Sequence, residues 1–264
     1  ERTRTCLTIT LSPGVRSMTK RKKTLWVLPI ILVFCFLGQQ LAYGAQENIN
    51  ELLEGFPPNT VLKEGPVVRV KKQTPPRKKV ALTFDDGPDP KYTPQLLEIL
   101  QKEQVVATFF VVGERVGHYP DVVRRINREG HLIANHSFTH TDFEHLTNEE
   151  IVKLELDPAS KAVEKLTGYY PLIMRPPYGS LRTDSVNFLR GEGWHIVRWS
   201  LDTFDWDRTR NKPERIINRI LELHHPNAIV LMHCNNKTTV EVLPQVIKTL
   251  RDLGYDFVTV TDLN

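Results

Sequence analysis

From residue 80 onward, short apolar runs alternate with amphipathic segments, and this alternation restricts the chain to very few folds. The runs occupy 80–84, 105–112, 131–134, 172–174, 195–199, 228–232 and 257–260. They have the length of buried strands and are too short for helices. Between them the spacing changes to the helical period. Thr93 and Pro94 read as an N-cap and first helical residue, with Leu96, Leu97 and Leu100 on one face. Thr147 and Glu150 have the spacing of a capping box ahead of Ile151 and Leu154. Pro158 is expected to break or kink that helix before Ala162, Leu166 and a stop at Gly168. Pro213 opens a helix through Ile216, Ile217, Ile220 and Leu221, and Val242, Leu243, Val246, Ile247 and Leu250 form the last apolar face, ending at Gly254. About seven strand–helix units predict an α/β fold with a parallel sheet, closed as an incomplete (β/α) barrel.

The polar residues follow the same rhythm. Asp85 and Asp86 come directly after the first run, His136 and His140 after the third, and Arg175 after the fourth. Asp202 and Asp205 follow the fifth, and His233 ends the sixth. In a parallel barrel all strand C-termini open on one face, where active sites are built. Each cluster alone has an ordinary explanation. Asp-Asp-Gly-Pro is turn chemistry. Arg175 beside Pro176, Pro177 and Tyr178 can be a loop charge, Asp202 and Asp205 can be caps, and His233 can be a satisfied half-buried histidine. His136 and His140, four apart, share a face if they lie on a helical turn, and with a nearby Asp they make a His₂Asp set suited to zinc or cobalt. Five such clusters on one rim are hard to attribute to solvation.

Taken in order, Thr83-Phe84-Asp85-Asp86-Gly87-Pro88, His136-Ser137-Phe138-Thr139-His140, Arg175-Pro176-Pro177-Tyr178, Asp202-Thr203-Phe204-Asp205-Trp206 and Leu231-Met232-His233 resemble five ordered motifs. They are those of the NodB-homology polysaccharide deacetylases, carbohydrate esterase family four. The resemblance covers about residues 79–262. It implies a distorted (β/α) barrel and a divalent metal, usually zinc. By position it makes Asp86, His136 and His140 the metal ligands, Asp85 the general base and Arg175 the residue orienting that base. His233 becomes the general acid, tuned by Asp205. Trp206 and Leu231 become the walls around the acetyl methyl, and the Tyr178 N–H the oxyanion donor. The implied reaction is hydrolytic removal of acetyl groups from N-acetylated sugars of a cell-wall-type polysaccharide, peptidoglycan or chitin-like. An esterase acting on O-acetylated glycans such as xylan shares these motifs. A wall-binding module without activity would be marked by loss of an acid, base or ligand, and none is lost. Cys234 departs from the pattern, standing where members often carry Asp, which raises the expectation of thiol sensitivity.

The N-terminal part has another character. A basic cluster, Lys20 to Lys23, precedes an apolar run at 25–38, and small residues follow at 41–45. That order reads as a secretory signal, and with the run extended through Ala42 as an uncleaved membrane anchor. Met18, directly before the cluster, is the expected natural start. Residues 46–79, with Pro57-Pro58, Pro66 and Pro75-Pro76, read as a linker or small pre-domain, leaving 80–264 as the deacetylase domain. Residues 1–45 hold seven Lys/Arg and one acid, a +6 that taken from the chain's +4 leaves −2. The basic balance is therefore no argument for nucleic acid. Of Cys6, Cys35 and Cys234, only the last lies beyond the signal, so no internal disulfide is expected. A secreted or wall-facing bacterial enzyme with a polysaccharide substrate and no protein partner is the resulting expectation.

Overall fold

The computed structural model describes residues 77–263. The expected export segment at 25–38, the expected start at Met18, Cys6, Cys35 and residues 46–76 of the expected linker or pre-domain lie outside them. Among the described residues no helix is long and apolar enough to cross a membrane.

Eight strands form one parallel sheet. They are β1 (Lys78–Gly87), β2 (Thr108–Val111), β3 (Leu132–Asn135), β4 (Ile173–Met174), β5 (His195–Ile196), β6 (Leu201–Asp202), β7 (Ala228–His233) and β8 (Tyr255–Phe257). The lateral order is β5-β4-β3-β2-β1-β7-β6, with β8 paired to the start of β1. The two ends of the order, β5 and β6, are neighbouring pieces of one stretch, 195–202. The sheet therefore curls until both edges meet in that stretch, giving the expected distorted, incomplete barrel.

Helices cover the outer face: α1 (Tyr92–Glu103), α2 (Gly113–His118), α3 (Pro120–Arg128), α4 (Asp157–Thr167), α5 (Thr183–Gly191), α6 (Pro213–Leu223) and α7 (Lys237–Asp252). Their apolar faces, among them Leu96, Leu97 and Leu100 of α1 and Leu243, Val246 and Leu250 of α7, are fully buried against Leu82, Phe84, Phe109 and Val230. Strands covered on both faces read as unbroken apolar runs, which is why they are visible in the sequence.

Four local expectations need correction. Thr93 does not cap α1. Its hydroxyl accepts from the Asp89 N–H and donates to the Cys234 carbonyl, while Asp89 Oδ1 accepts the Lys91 and Tyr92 N–H groups. Pro158 does not break its helix. The capping box at Thr147 and Glu150 forms as expected, and a π-helical turn, Ile151–Leu156, leads without interruption into α4, which ends at left-handed Gly168. A wider turn ahead of Pro158 accommodates its missing N–H and its ring against the Leu154 carbonyl. It also rotates the register, so Leu154 is 50% exposed and Glu155 only 5%. The run at 195–199 is not one strand: the Val197 and Arg198 carbonyls turn to the Arg175 guanidinium and leave the ladder. The last strand, Tyr255–Phe257, overlaps its expected run only at Phe257, and Val260–Asp262 is a 3₁₀ turn.

Candidate active site

The register brings the polar clusters together. Asp85 is the Cα partner of His233 across β1 and β7, Asp202 of Leu231 across β6 and β7, and Asn135 of Met174 across β3 and β4. His136 and Arg175 follow that last pair directly. All five clusters thus end at one rim and line or underlie a cleft of about 640 Å³.

Asp85 is buried, and its Oδ1 accepts from Arg175 Nη1 at 2.7 Å. Arg175 is 0% exposed and fully engaged. Its Nη1 also donates to Thr83 Oγ1 at 2.9 Å, its Nη2 to the Arg198 carbonyl at 3.0 Å and its Nε to the Val197 carbonyl at 3.3 Å. Phe110 lies under the guanidinium at 4.0 Å. One oxygen of Asp85 is therefore fixed, and Oδ2 is left facing the cleft, 3.8 Å from His136 Nε2.

Asp86 diverges from its neighbour because its backbone is left-handed, at φ 66°. Its Oδ1 lies 3.0 Å from His140 Nε2 and 3.4 Å from His136 Nε2, yet is buried and makes no hydrogen bond. The three ligand atoms lie within 4.8 Å of one another. That spacing is close enough for one ion to be shared by all three. His136 Nδ1 bonds the Arg175 carbonyl at 2.8 Å. A carbonyl only accepts, so Nδ1 carries the proton and Nε2 presents its lone pair, the arrangement common in histidines that bind a metal. Asn235 Nδ2 donates to Asp86 Oδ2 at 3.2 Å. Burial alone pushes the Asp86 carboxyl up; the two imidazoles beside it outweigh that and keep it ionised. A divalent cation fits this donor set. His136 and His140 do not share a helical turn: Ser137 and His140 are left-handed, at φ 69° and 65°, and the chain bends between them.

On the other side of the cleft Asp205, wholly buried, accepts from the His233 backbone N–H at 2.7 Å and bonds its Nδ1 at 2.8 Å. Thr239 Oγ1 donates to Asp205 Oδ2, and Asn236 Nδ2 to its carbonyl. Burial pulls the His233 pKa down. The Asp205 bond and charge, with the charges of Asp85 and Asp86, prevail and push it up to about 9.

Tyr178 is left-handed, at φ 59°, its ring set edge-on to His140 at 4.9 Å. Its N–H makes no hydrogen bond among the described residues. Trp206, half exposed, and Leu231, buried in β7, both line the cleft. Every residue that the resemblance assigned to the site is therefore at this one place. Cys234 is not placed as a reactive thiol would be. It is fully buried behind Gly87, its Sγ donates to the Asp85 carbonyl at 3.0 Å, and burial pushes the thiol up. Sequence reasoning missed two residues, Asn235 on Asp86 and Glu155 on the loop carrying His140. The pair Leu154–Glu155, apolar outside and acidic inside, is a signal that only the π-helical turn makes legible.

The polysaccharide deacetylase family model matches residues 72–197. A peptidoglycan-N-acetylglucosamine deacetylase of Bacillus cereus is 35% identical over 188 residues, 70% of this chain and 67% of that protein. The peptidoglycan-N-acetylmuramic acid deacetylase PdaC of Bacillus subtilis is 34% identical over 217 residues, 82% of this chain and 44% of that protein. A solved structure of PdaC matches with a TM-score of 0.66 over 72% of this chain and 91% of that chain. A CE4 family pseudoenzyme from Bacillus anthracis, 33% identical, gives the same TM-score over 72% of this chain and 66% of that chain.

Proposed function

This chain belongs to the polysaccharide deacetylase family, and from that we propose that it hydrolyses N-acetyl groups on the sugars of bacterial peptidoglycan, using a divalent metal. The observation that carries the reading is the arrangement around one cleft. A carboxylate fixed by Arg175 and an imidazole fixed by Asp205 flank the Asp86–His136–His140 set.

Asp86, His136 and His140 would hold the cation, and their one-carboxylate, two-imidazole chemistry suits zinc, with cobalt as a substitute. When bound, such an ion polarises an acetyl carbonyl and makes water a stronger acid. Asp85 then acts through Oδ2, taking the proton of the attacking water, while Arg175 keeps the carboxylate oriented. The Tyr178 N–H is directed at the oxygen that gains charge in the tetrahedral state. Trp206 and Leu231 enclose the acetyl methyl. His233 protonates the departing sugar nitrogen. With its pKa pushed to about 9 by Asp205, it is charged at neutral pH and has the proton to give. The products are acetate and a free amine on the glycan.

Peptidoglycan as substrate is supported by the named relatives, which act on it at N-acetylglucosamine or N-acetylmuramic acid. Activity, as against a silent binding module, is supported by the presence of every base, acid and ligand type. Such a substrate lies outside the cytoplasm. That agrees with reading residues 1–45 as a signal or anchor and 46–79 as the spacer before the deacetylase domain. The test is acetate release by the purified protein from peptidoglycan and from matched N-acetylated and O-acetylated oligosaccharides, with and without chelator. Release from the O-acetylated member alone would make it an esterase. No release from either would leave a binding module.

A further inference from the structure

We propose that Glu155 is a positioning residue for the metal ligands, clamping the bend between His136 and His140 so that both imidazoles face Asp86. The proposal rests on the metal reading above. The bend has no secondary structure to fix it. Its carbonyls are tied to the start of α2, Ser137 O accepting from the Gly113 N–H at 2.9 Å and Phe138 O from the Glu114 N–H at 3.0 Å. Of its amides, Ser137 N–H goes to Asn135 Oδ1 and His140 N–H to Ser137 Oγ, while the two between them go to a single acceptor. Glu155 Oε2 takes the Phe138 N–H at 2.9 Å and the Thr139 N–H at 2.8 Å, and Oε1 takes the Thr139 hydroxyl at 2.7 Å. Without Glu155 these two amides, next to left-handed Ser137 and His140, have no partner.

The carboxylate reaches the bend because of the π-helical turn. In that turn Ile151, Glu155 and Leu156 face inward together, which puts an acid among core residues. Turns of this kind are often found at functional sites. Neighbours beyond the ligands commonly set metal affinity by orienting the ligating side chains. Geometry, more than charge, is what Glu155 supplies. A glutamine there can still accept both amides through its oxygen. Its NH₂ can donate to Thr139 Oγ1, whose own proton then turns to Thr141 Oγ1, 2.7 Å away. An aspartate keeps the charge but withdraws the acceptor by one methylene.

The test compares Glu155→Gln and Glu155→Asp with the wild-type chain, each confirmed folded by circular dichroism. Zinc affinity, from competition with a chromophoric chelator, should fall about 10–100-fold in Glu155→Asp and stay near wild type in Glu155→Gln. Amide exchange on the metal-free proteins reads the clamp by itself: Phe138 and Thr139 should exchange faster in Glu155→Asp only. Wild-type affinity and exchange in Glu155→Asp, or losses in Glu155→Gln as large as in Glu155→Asp, overturn the proposal. A wild-type chain that takes up no zinc strikes the metal reading instead, while the exchange comparison still decides the clamp.

Discussion

Asp205 holds His233 at two points, one carboxylate oxygen on its backbone N–H and the other on its ring Nδ1, at 2.7 and 2.8 Å. The two bonds leave the imidazole one orientation and one ring nitrogen for chemistry. They also underlie a predicted pH dependence. His233, raised from 6.5 to about 9, should set the alkaline limb of the rate profile. Asp205→Asn removes the charge and should move that limb toward neutral pH, and His233→Ala should remove it. The measurement is kcat/KM against pH. Stability follows the same sign. A pKa raised on folding stabilises fully below about 6.5, and that contribution is lost as pH rises through about 9. Thermal melts of the wild type should therefore decline across this window more than those of His233→Ala.

Asp85 and Asp86 are adjacent and chemically identical, and they should fail differently. Asp86→Asn loses a charged ligand, so bound metal and rate should fall together. Asp85→Asn should keep its metal and lose about 10²–10⁴ in rate, the usual worth of a general base. Metal content and turnover are to be measured on the same preparations. Near-wild-type turnover in metal-loaded Asp85→Asn would transfer the base role to another carboxylate, with Asp202 in the same cleft as the first candidate.

Chelation should abolish acetate release, and zinc or cobalt should restore it. Asp86 Oδ1, buried without a hydrogen bond between two imidazoles, is costly to leave that way. Metal loading should therefore also raise the melting temperature. Full activity in protein shown metal-free by elemental analysis would contradict this.

Cys234 should be silent in the native state. A thiol-reactive chromophore should label no cysteine of the described domain until denaturant is added, and activity should survive the reagent. Rapid labelling of native protein would mean that the strand end opens far more readily than its complete burial implies.

The parts legible in the sequence are those governed by burial and by the strand-end rule. Strands such as β1 and β7 carry apolar residues on both faces, so their runs stand out, and the candidate site residues follow at their C-terminal ends. The parts not legible are those where tertiary hydrogen bonds redirect the backbone. The run 195–199 looks like one strand but stops at Ile196 because Val197 and Arg198 give their carbonyls to a side chain distant in sequence. His136 and His140 have helical spacing but meet through a bend with two left-handed residues. Glu155 has the sequence context of a solvated helix face and is buried by a turn of unusual width. In each case local propensity points one way and a long-range partner decides otherwise.

Arg175 fastens the first strand, through Thr83 and Asp85, to the stretch where the curled sheet comes back on itself. The fastening also orients Asp85, the proposed base, so scaffold and proposed chemistry share one side chain. Removing one member of a buried charge pair typically costs about 3–5 kcal/mol. A lineage drifting from catalysis toward mere adhesion can thus change His140 or Asp86 at modest structural expense. Arg175 should be among the last of the set to go, and its retention in a descendant would say little about whether that descendant still works as an enzyme.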